Sequence, residues 1–341
     1  MNICFITGPY KPNRCGISDY IALLTNELKY LGHSISLIDI EKPLDFSKAN
    51  KKLLDSELIS MQFAPYLFST NGLCGSHLLK FARFLEGKRV HINFHEIWIG
   101  AYPTAKLIEK VNGFRQKREI LNFLRLVRPE IITCTNAASL DRLNCSKINA
   151  QYLYLFGNIP FSPTDLKNDT KKVKVAVFGT PYSKFPYLIL FQRLVEIANF
   201  TGKSVELKIL GRQRDDEALL KIKDLSKKFE IFIHECGELP TESISHELQQ
   251  CDLGICTTPF DIIGKSGSTA AMLEHGLPVL AYDDGDTANE SLITTNPFQD
   301  QIFLINDNYL AEKVLQFIDK PRKCFFDGVA HTAKKMLDLV S

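Results

Sequence analysis

Two hydrophobic periods alternate along the chain. Asn2–Thr7, Leu58–Phe63, Arg89–Phe94, Ile131–Cys134 and Gln151–Leu155 are short apolar runs bounded by polar or turn residues, and Ser34–Ile40 alternates apolar with polar. Both patterns predict strands. Between them Ile21, Leu24, Leu28 and Leu31 recur at helical spacing, which places a helix over Ser18–Leu31 with Gly32 as its stop. Ser76–Leu85, Lys106–Val111 and Arg115–Val127 read as further helices. The polar stretch Ser162–Lys172 has no apolar period and marks a boundary. The alternation then starts again, with strands over Val173–Gly179, Val205–Leu210, Glu230–His234, Leu253–Cys256 and Val279–Tyr282, a helix near Leu188–Phe200, and helices at Leu310–Ile318 and His331–Val340. Strand–helix alternation run twice predicts an α/β chain with two parallel sheets covered by helices.

A length of 341 residues suits two domains, and 45% hydrophobic with 23% charged residues is ordinary for a globular protein. No apolar run approaches the roughly 20 residues of a membrane helix. The start, Met1-Asn-Ile-Cys-Phe-Ile-Thr-Gly8, reads as a first strand and not as a signal peptide. Nine cysteines without zinc-type spacing read as reduced thiols, so a cytoplasmic setting is expected. The net charge of +2 is unevenly spread: residues 1–160 hold 20 Lys and Arg against 13 Asp and Glu, and residues 161–341 hold 21 against 26. The basic half suits an anionic partner or is plain solvated surface.

Chemistry concentrates in Asp252–Val279. An apolar strand leads to Gly264-Lys265-Ser266-Gly267-Ser268-Thr269, which opens a helix that Gly276-Leu277-Pro278 closes. A helix start presents unpaired N–H groups and partial positive charge. Two glycines admit a phosphate to the backbone, Lys265 adds a full charge, and Ser266, Ser268 and Thr269 add hydroxyls. A diphosphate is the expected occupant.

This segment resembles the donor-binding motif of GT-B glycosyltransferases, in particular the bacterial family 4 group. There Pro-Ser-x-x-Glu-Gly-x-Gly is followed by a second glutamate and by Ala-Met-Ala-x-Gly-x-Pro-Val. Aligned without gaps on Pro259, Gly276, Pro278 and Val279, Ile263 and Ala271 stand where the family has its two glutamates, and Glu274 falls three residues late. The resemblance implies two Rossmann-like domains facing across a cleft: an N-terminal acceptor domain over 1–161, a linker over 162–172, a C-terminal donor domain over 173–324, and a segment 325–341 that returns to the first domain.

Other segments extend the resemblance. Gly8-Pro-Tyr-Lys-Pro-Asn-Arg-Cys-Gly-Ile-Ser-Asp-Tyr20 lacks the dinucleotide fingerprint and is similar to the family's first loop, which folds over donor phosphates and sugar. Gly16 would let backbone approach the ligand; Asp19 is a helix cap or a catalytic residue, the base of an inverting reaction, and Arg14 a phosphate or acceptor contact or a solvated arginine. His95, at the end of Asn93-Phe-His-Glu-Ile-Trp98, matches a family histidine that helps to hold the sugar, with Glu96 as the alternative acid/base. Trp98 reads as packing. Lys184 fits the lysine that neutralises the leaving diphosphate, Thr180 replaces the accompanying arginine, and Arg212 is a substitute cation. Glu238 and Leu239 lie where the family touches the nucleotide base.

The resemblance therefore implies a metal-independent, retaining hexosyltransferase with a nucleoside-diphosphate sugar as co-substrate, no cofactor, and a glycan or lipid-linked acceptor in surface-glycan assembly. No nucleic-acid partner is expected. The basic helical region Lys106–Arg128 suits an anionic membrane surface, or is an ordinary solvated face. The missing glutamates leave two other readings open: a non-catalytic sugar-nucleotide-binding or partner subunit, and a sugar-nucleotide 2-epimerase.

Overall fold

The computed structural model describes residues 1–12, 14–40, 52–53, 55–100, 105–165, 171–212, 215–283, 296–318 and 325–341. They form two compact units, Met1–Tyr154 with Val329–Ser341, and Leu155–Gly328. Each unit is a six-stranded sheet flanked by helices.

The first sheet contains β1 (Asn2–Thr7), β2 (Ser34–Asp39), β3 (Leu58–Phe63), β4 (Val90–Phe94), β5 (Ile131–Cys134) and β6 (Gln151–Tyr152), in the spatial order β2-β1-β3-β4-β5-β6. Every pairing is parallel. β3 and β4 are buried along their whole length, as apolar central strands must be. The order reverses between β1 and β3, which places the ligand crevice of an open sheet at their carboxyl ends. Helices Gly16–Tyr30, Gly75–Leu85, Leu107–Val127 and Ala137–Cys145 join the strands. The helix Leu107–Val127 is continuous, where the sequence reading broke it around Gly113. That glycine is a packing residue: a Cβ on it would stand 1.9 Å from the Ile99 carbonyl oxygen.

The helix Gly328–Val340 completes this unit from Val329 onward. The Thr332 hydroxyl donates to the Tyr154 carbonyl at 3.0 Å. The Arg89 guanidinium donates to the Val340 carbonyl at 2.8 Å while gripping Glu130 with two nitrogens.

The second sheet contains β7 (Lys172–Phe178), β8 (Ser204–Leu210), β9 (Phe232–Gly237), β10 (Leu253–Ile255), β11 (Val279–Ala281) and β12 (Ile302–Leu304). Their spatial order, β12-β11-β10-β7-β8-β9, is that of a Rossmann sheet with its switch point between β7 and β10. Tyr187–Thr201, Asp216–Phe229, Thr241–Gln249, Gly267–Glu274 and Leu310–Ile318 are its principal helices. β9 begins at Phe232 and not at Glu230, because Glu230 ends the preceding helix in the left-handed region (φ 55°). Part of the stretch read as a linker is fastened to this unit. Ser162 donates its N–H to Ser245 Oγ at 2.9 Å, and its carbonyl accepts from Gln249 Nε2 at 2.6 Å. Residues 166–170 of that stretch lie outside the described residues.

Candidate active site

At the carboxyl edge of the second sheet, β7, β8 and β9 end on glycines in the left-handed region: Gly179 (φ 89°), Gly211 (φ 92°) and Gly237 (φ 68°). Side chains are disfavoured at such angles, so this rim is bare backbone. The Gly211 N–H donates to the Gly237 carbonyl at 2.8 Å, and the Gly179 N–H to the Leu210 carbonyl at 3.1 Å. A Cβ on Gly179 would come within 3.1 Å of Ser268 Oγ, so the rim lies directly against the start of the helix Gly267–Glu274.

That helix start carries a side-chain cap. Ser266 is its N-cap, and its Oγ accepts from the Thr269 N–H at 3.2 Å and from the Thr269 hydroxyl at 2.7 Å. The first intrahelical donor is the Ala270 N–H, bonded to the Ser266 carbonyl. The Gly267 and Ser268 N–H groups precede it and form the positive end of the helix. A Cβ on Gly267 would meet none of the described residues within 4 Å. A 3-10 turn, Phe260–Lys265, delivers Lys265 immediately before the cap. Of the expected hydroxyl donors, Ser266 and Thr269 thus hold each other, and Ser268 Oγ lies 3.2 Å from Ser266 Oγ.

The family's two glutamate positions are filled by buried apolar residues, and the one acid of this helix, Glu274, is placed for structure. Ala271, at one family glutamate position, is fully buried, and a Cβ on Gly157 would lie 2.5 Å from its Cα. Ile263, at the other, is buried as well. The Glu274 carboxylate accepts the Gly157 N–H at 3.0 Å, and its carbonyl accepts the Phe326 N–H at 3.1 Å.

The neighbouring loops supply cations unequally. Lys184 is exposed, on a turn held by the Ser183 N–H to Asp215 Oδ2 at 3.1 Å and by Lys221 Nζ to the Ser183 carbonyl at 3.0 Å. Arg212 and Glu238, read from sequence as a phosphate cation and a base neighbour, meet each other: two guanidinium nitrogens donate to the carboxylate at 2.5 and 3.0 Å. Thr180 donates its hydroxyl to the Arg212 carbonyl at 3.3 Å, and Leu239 is half-buried beside Glu238.

In the first unit, His95 follows β4 at the carboxyl edge and is buried. Its ring stands edge-on to Tyr20, centroids 5.0 Å apart, and its Nε2 lies 2.9 Å from Gln62 Oε1. Tyr20 belongs to the helix Gly16–Tyr30, so the first loop and His95 are brought together. That helix has no side-chain cap at Cys15, and Asp19 occupies its first turn. A Cβ on Gly16 would meet none of the described residues within 4 Å; the crowded glycine of the loop is Gly8, where a Cβ would lie 2.6 Å from Leu67 Cβ. Lys11 N–H donates to Ser18 Oγ at 2.9 Å and shapes the loop. Glu96 is half-buried next to His95. Trp98 is buried in the core with Lys117 Nζ 5.1 Å from its ring centroid, a packing role as expected.

The sequence reading missed a polar network beneath His95. Ser60, Gln62, His91, Asn93 and Thr133 are all buried and mutually hydrogen-bonded. They occupy alternate positions of β3, β4 and β5, with Ser60 opposite His91, Gln62 opposite Asn93, and Asn93 opposite Thr133. Burial pushes the His91 imidazole down to about 4. Among the described residues no three His, Cys, Asp or Glu side chains gather as a metal site, and no helix is long and apolar enough to cross a membrane.

Solved structures share this fold along the whole chain. HepE of Anabaena, in complex with UDP, aligns at 14% identity with a TM-score of 0.55, covering 100% of this chain and 95% of that one. The catalytic domain of starch synthase IV from Arabidopsis thaliana, bound to ADP and acarbose, aligns at 12% identity with a TM-score of 0.55, covering 100% and 98%. A candidate UDP-N-acetylglucosamine 2-epimerase from Listeria monocytogenes aligns at 12% identity with a TM-score of 0.52, covering 98% and 94%. No protein-family model and no curated protein matches the sequence. The class defined is one of fold: α/β, with the two parallel sheets of the GT-B glycosyltransferase architecture.

Proposed function

We propose that this protein is a glycosyltransferase that moves a sugar from a nucleoside-diphosphate sugar to an acceptor hydroxyl, with retention at the anomeric carbon and without a divalent cation. The observation that carries this reading is the bare glycine rim set against the capped helix start behind Lys265. Negative charge grows on the departing diphosphate in the transition state, and preorganised donors aimed at it lower the barrier. The Gly267 and Ser268 N–H groups, Lys265 and Lys184 take that role. Arg212 joins them only by leaving Glu238. His95 sits beside the sugar; for an inverting reaction Asp19 or Glu96 is the base. UDP in HepE and ADP in the starch synthase support a nucleoside diphosphate as the ligand of this fold.

The acceptor side of the reading is a lipid-linked glycan at an anionic membrane, in surface-glycan assembly. The first turns of Leu107–Val127 support it: Leu107, Ile108, Val111 and Phe114 are exposed on one face, which continues into Arg118 and Arg125. The acids of this helix are engaged elsewhere, Glu109 with the Lys106 N–H and Glu119 with the Cys74 and Gly75 N–H groups.

A thermal-shift series with UDP, GDP, ADP and CMP tests the donor site, because a ligand of the native state stabilises it by mass action. One diphosphate is expected to raise the Tm of the wild type and to lose that effect in Lys265→Ala. No shift with any diphosphate discards the donor assignment. A second reading, a binding subunit or 2-epimerase, is favoured by the burial of Ala271 against Gly157, which leaves no room for the family's second glutamate. Incubation with the sugar conjugate of the shifting diphosphate, without acceptor, separates the readings. Free sugar marks a transferase, a new epimer marks an epimerase, and unchanged donor marks a binding subunit.

A further inference from the structure

The polar network of the first sheet is a closed ring. Gln62 Nε2 donates to Ser60 Oγ at 2.9 Å, and Ser60 Oγ stands 3.0 Å from His91 Nδ1. His91 Nε2 lies 2.8 Å from Thr133 Oγ1, the Thr133 hydroxyl donates to Asn93 Oδ1 at 2.9 Å, and Asn93 Nδ2 returns to Gln62 Oε1 at 3.0 Å. With the two amides oriented this way, only one proton arrangement satisfies every link: Ser60 gives its proton to His91 Nδ1, and His91 gives Nε2–H to Thr133. Each member then donates and accepts in one sense around the ring. Reversal requires all five to turn together, because any single flip sets two donors or two acceptors face to face.

His95 is attached to this ring at Gln62 Oε1, 2.9 Å from its Nε2. Asn93 Nδ2 lies farther from the same nitrogen, at 3.4 Å, so the shorter contact governs. An amide oxygen accepts and does not donate, so in this orientation the imidazole proton resides on Nε2 and the lone pair on Nδ1. We propose that Gln62, oriented by the ring, is a positioning residue that fixes His95 in the Nε2–H tautomer, so that toward a sugar hydroxyl His95 acts as hydrogen-bond acceptor through Nδ1. The acceptor role rests on the placement of His95 beside the donor sugar; the tautomer and its control by the ring do not. The sense of the ring also ties the tautomers of His91 and His95 together, so a change at Thr133, which does not bond His95, reaches it through Asn93 and Gln62.

The test is long-range proton–nitrogen NMR on the full chain labelled with 15N-histidine, free of any nucleotide, near pH 7. The wild type is expected to show His95 and His91 each with a protonated Nε2 and a bare Nδ1. Gln62→Leu removes the anchor and should bring the two His95 nitrogen shifts toward each other as tautomers mix. Gln62→Glu keeps shape and an acceptor oxygen, and should restore the Nε2 proton while raising the pH at which Nδ1 protonates. Thr133→Val should move the His95 shifts in the same direction as Gln62→Leu, by less. A wild-type His95 protonated on Nδ1 overturns the proposal, as do His95 shifts left unchanged by both Gln62→Leu and Thr133→Val. Because no donor enters the sample, a protein that proves not to bind nucleotides leaves this result standing.

Discussion

The Glu274 carboxylate accepts the Gly157 backbone N–H at 3.0 Å, and both groups are buried. The Glu274 carbonyl takes the Phe326 N–H, so one residue fastens the chain near where it enters and leaves the second unit. Glu274→Ala leaves the Gly157 N–H without this acceptor, and a loss of about 1–3 kcal/mol in stability is expected. Glu274→Gln retains an acceptor oxygen and should cost less. Gly157→Ala should cost more than either, since the added Cβ meets backbone at 2.5 Å and cannot be relieved by a rotamer. Urea unfolding followed by far-UV circular dichroism ranks the three.

Stability should fall with acid through His91. Burial holds its folded pKa at about 4, below the roughly 6.5 of an unfolded histidine. Below that higher value the unfolded chain binds a proton that the folded chain refuses, so stability is lost from about pH 6.5 down to about pH 4. Between pH 7.5 and 5 the expected loss is roughly 2 kcal/mol. Burial also lowers His275 and His331, which act in the same direction. The difference between wild type and His91→Asn, measured by denaturant titration at both pH values, isolates the His91 share.

The phosphate assignment separates two cations. Lys265 stands immediately before the cap of the helix Gly267–Glu274, and Arg212 lies on another loop, paired with Glu238. For the diphosphate selected by thermal shift, Lys265→Ala should weaken binding at least 10-fold, about 1.4 kcal/mol. Arg212→Ala should weaken it less than about 3-fold, since an exposed pair contributes little. Isothermal titration calorimetry decides; the reverse ranking would move the phosphate site to the loop after β8.

Membrane contact through Leu107–Val127 makes a prediction about apolar residues as well as charge. Leu107 and Phe114 are 79% and 70% exposed. Co-sedimentation with phosphatidylglycerol vesicles should exceed that with phosphatidylcholine vesicles and decline with salt. Replacing both residues by aspartate should reduce it at least 5-fold, because it removes buried apolar area and adds repulsion. Equal sedimentation of variant and wild type would dismiss this face as the contact.

Strands with a clean apolar run were legible in the sequence to the residue, as at Asn2–Thr7, Leu58–Phe63 and Ile131–Cys134. Helices with few buried positions were not. Asp216–Phe229 buries only Ala218 and Ile222, so its charges mask the period, although Asp215 caps it through the Ala218 N–H. Gly113 looked like a break because nothing local reveals the Ile99 carbonyl against which it packs. Around the site, the Gly-Lys-Ser-Gly segment announced its helix start, but the pairing of Arg212 with Glu238 joins positions 26 residues apart and has no local mark. The ring under His95 did leave a trace: Ser60 and Gln62, His91 and Asn93, and Thr133 interrupt apolar strands at every second position. Only the register reveals that these interruptions face one another.

The second unit is an insertion within the first. Residues 329–341 join the unit of Met1–Tyr154, with Val340 bonded to Arg89 and Thr332 to Tyr154. During synthesis the ribosome therefore releases Leu155–Gly328 entire before the first unit owns its last helix. Completion of the first unit thus follows synthesis of the second. The nascent first sheet waits with the surface meant for that helix uncovered, which makes this interval the point at which a chaperone has most to protect.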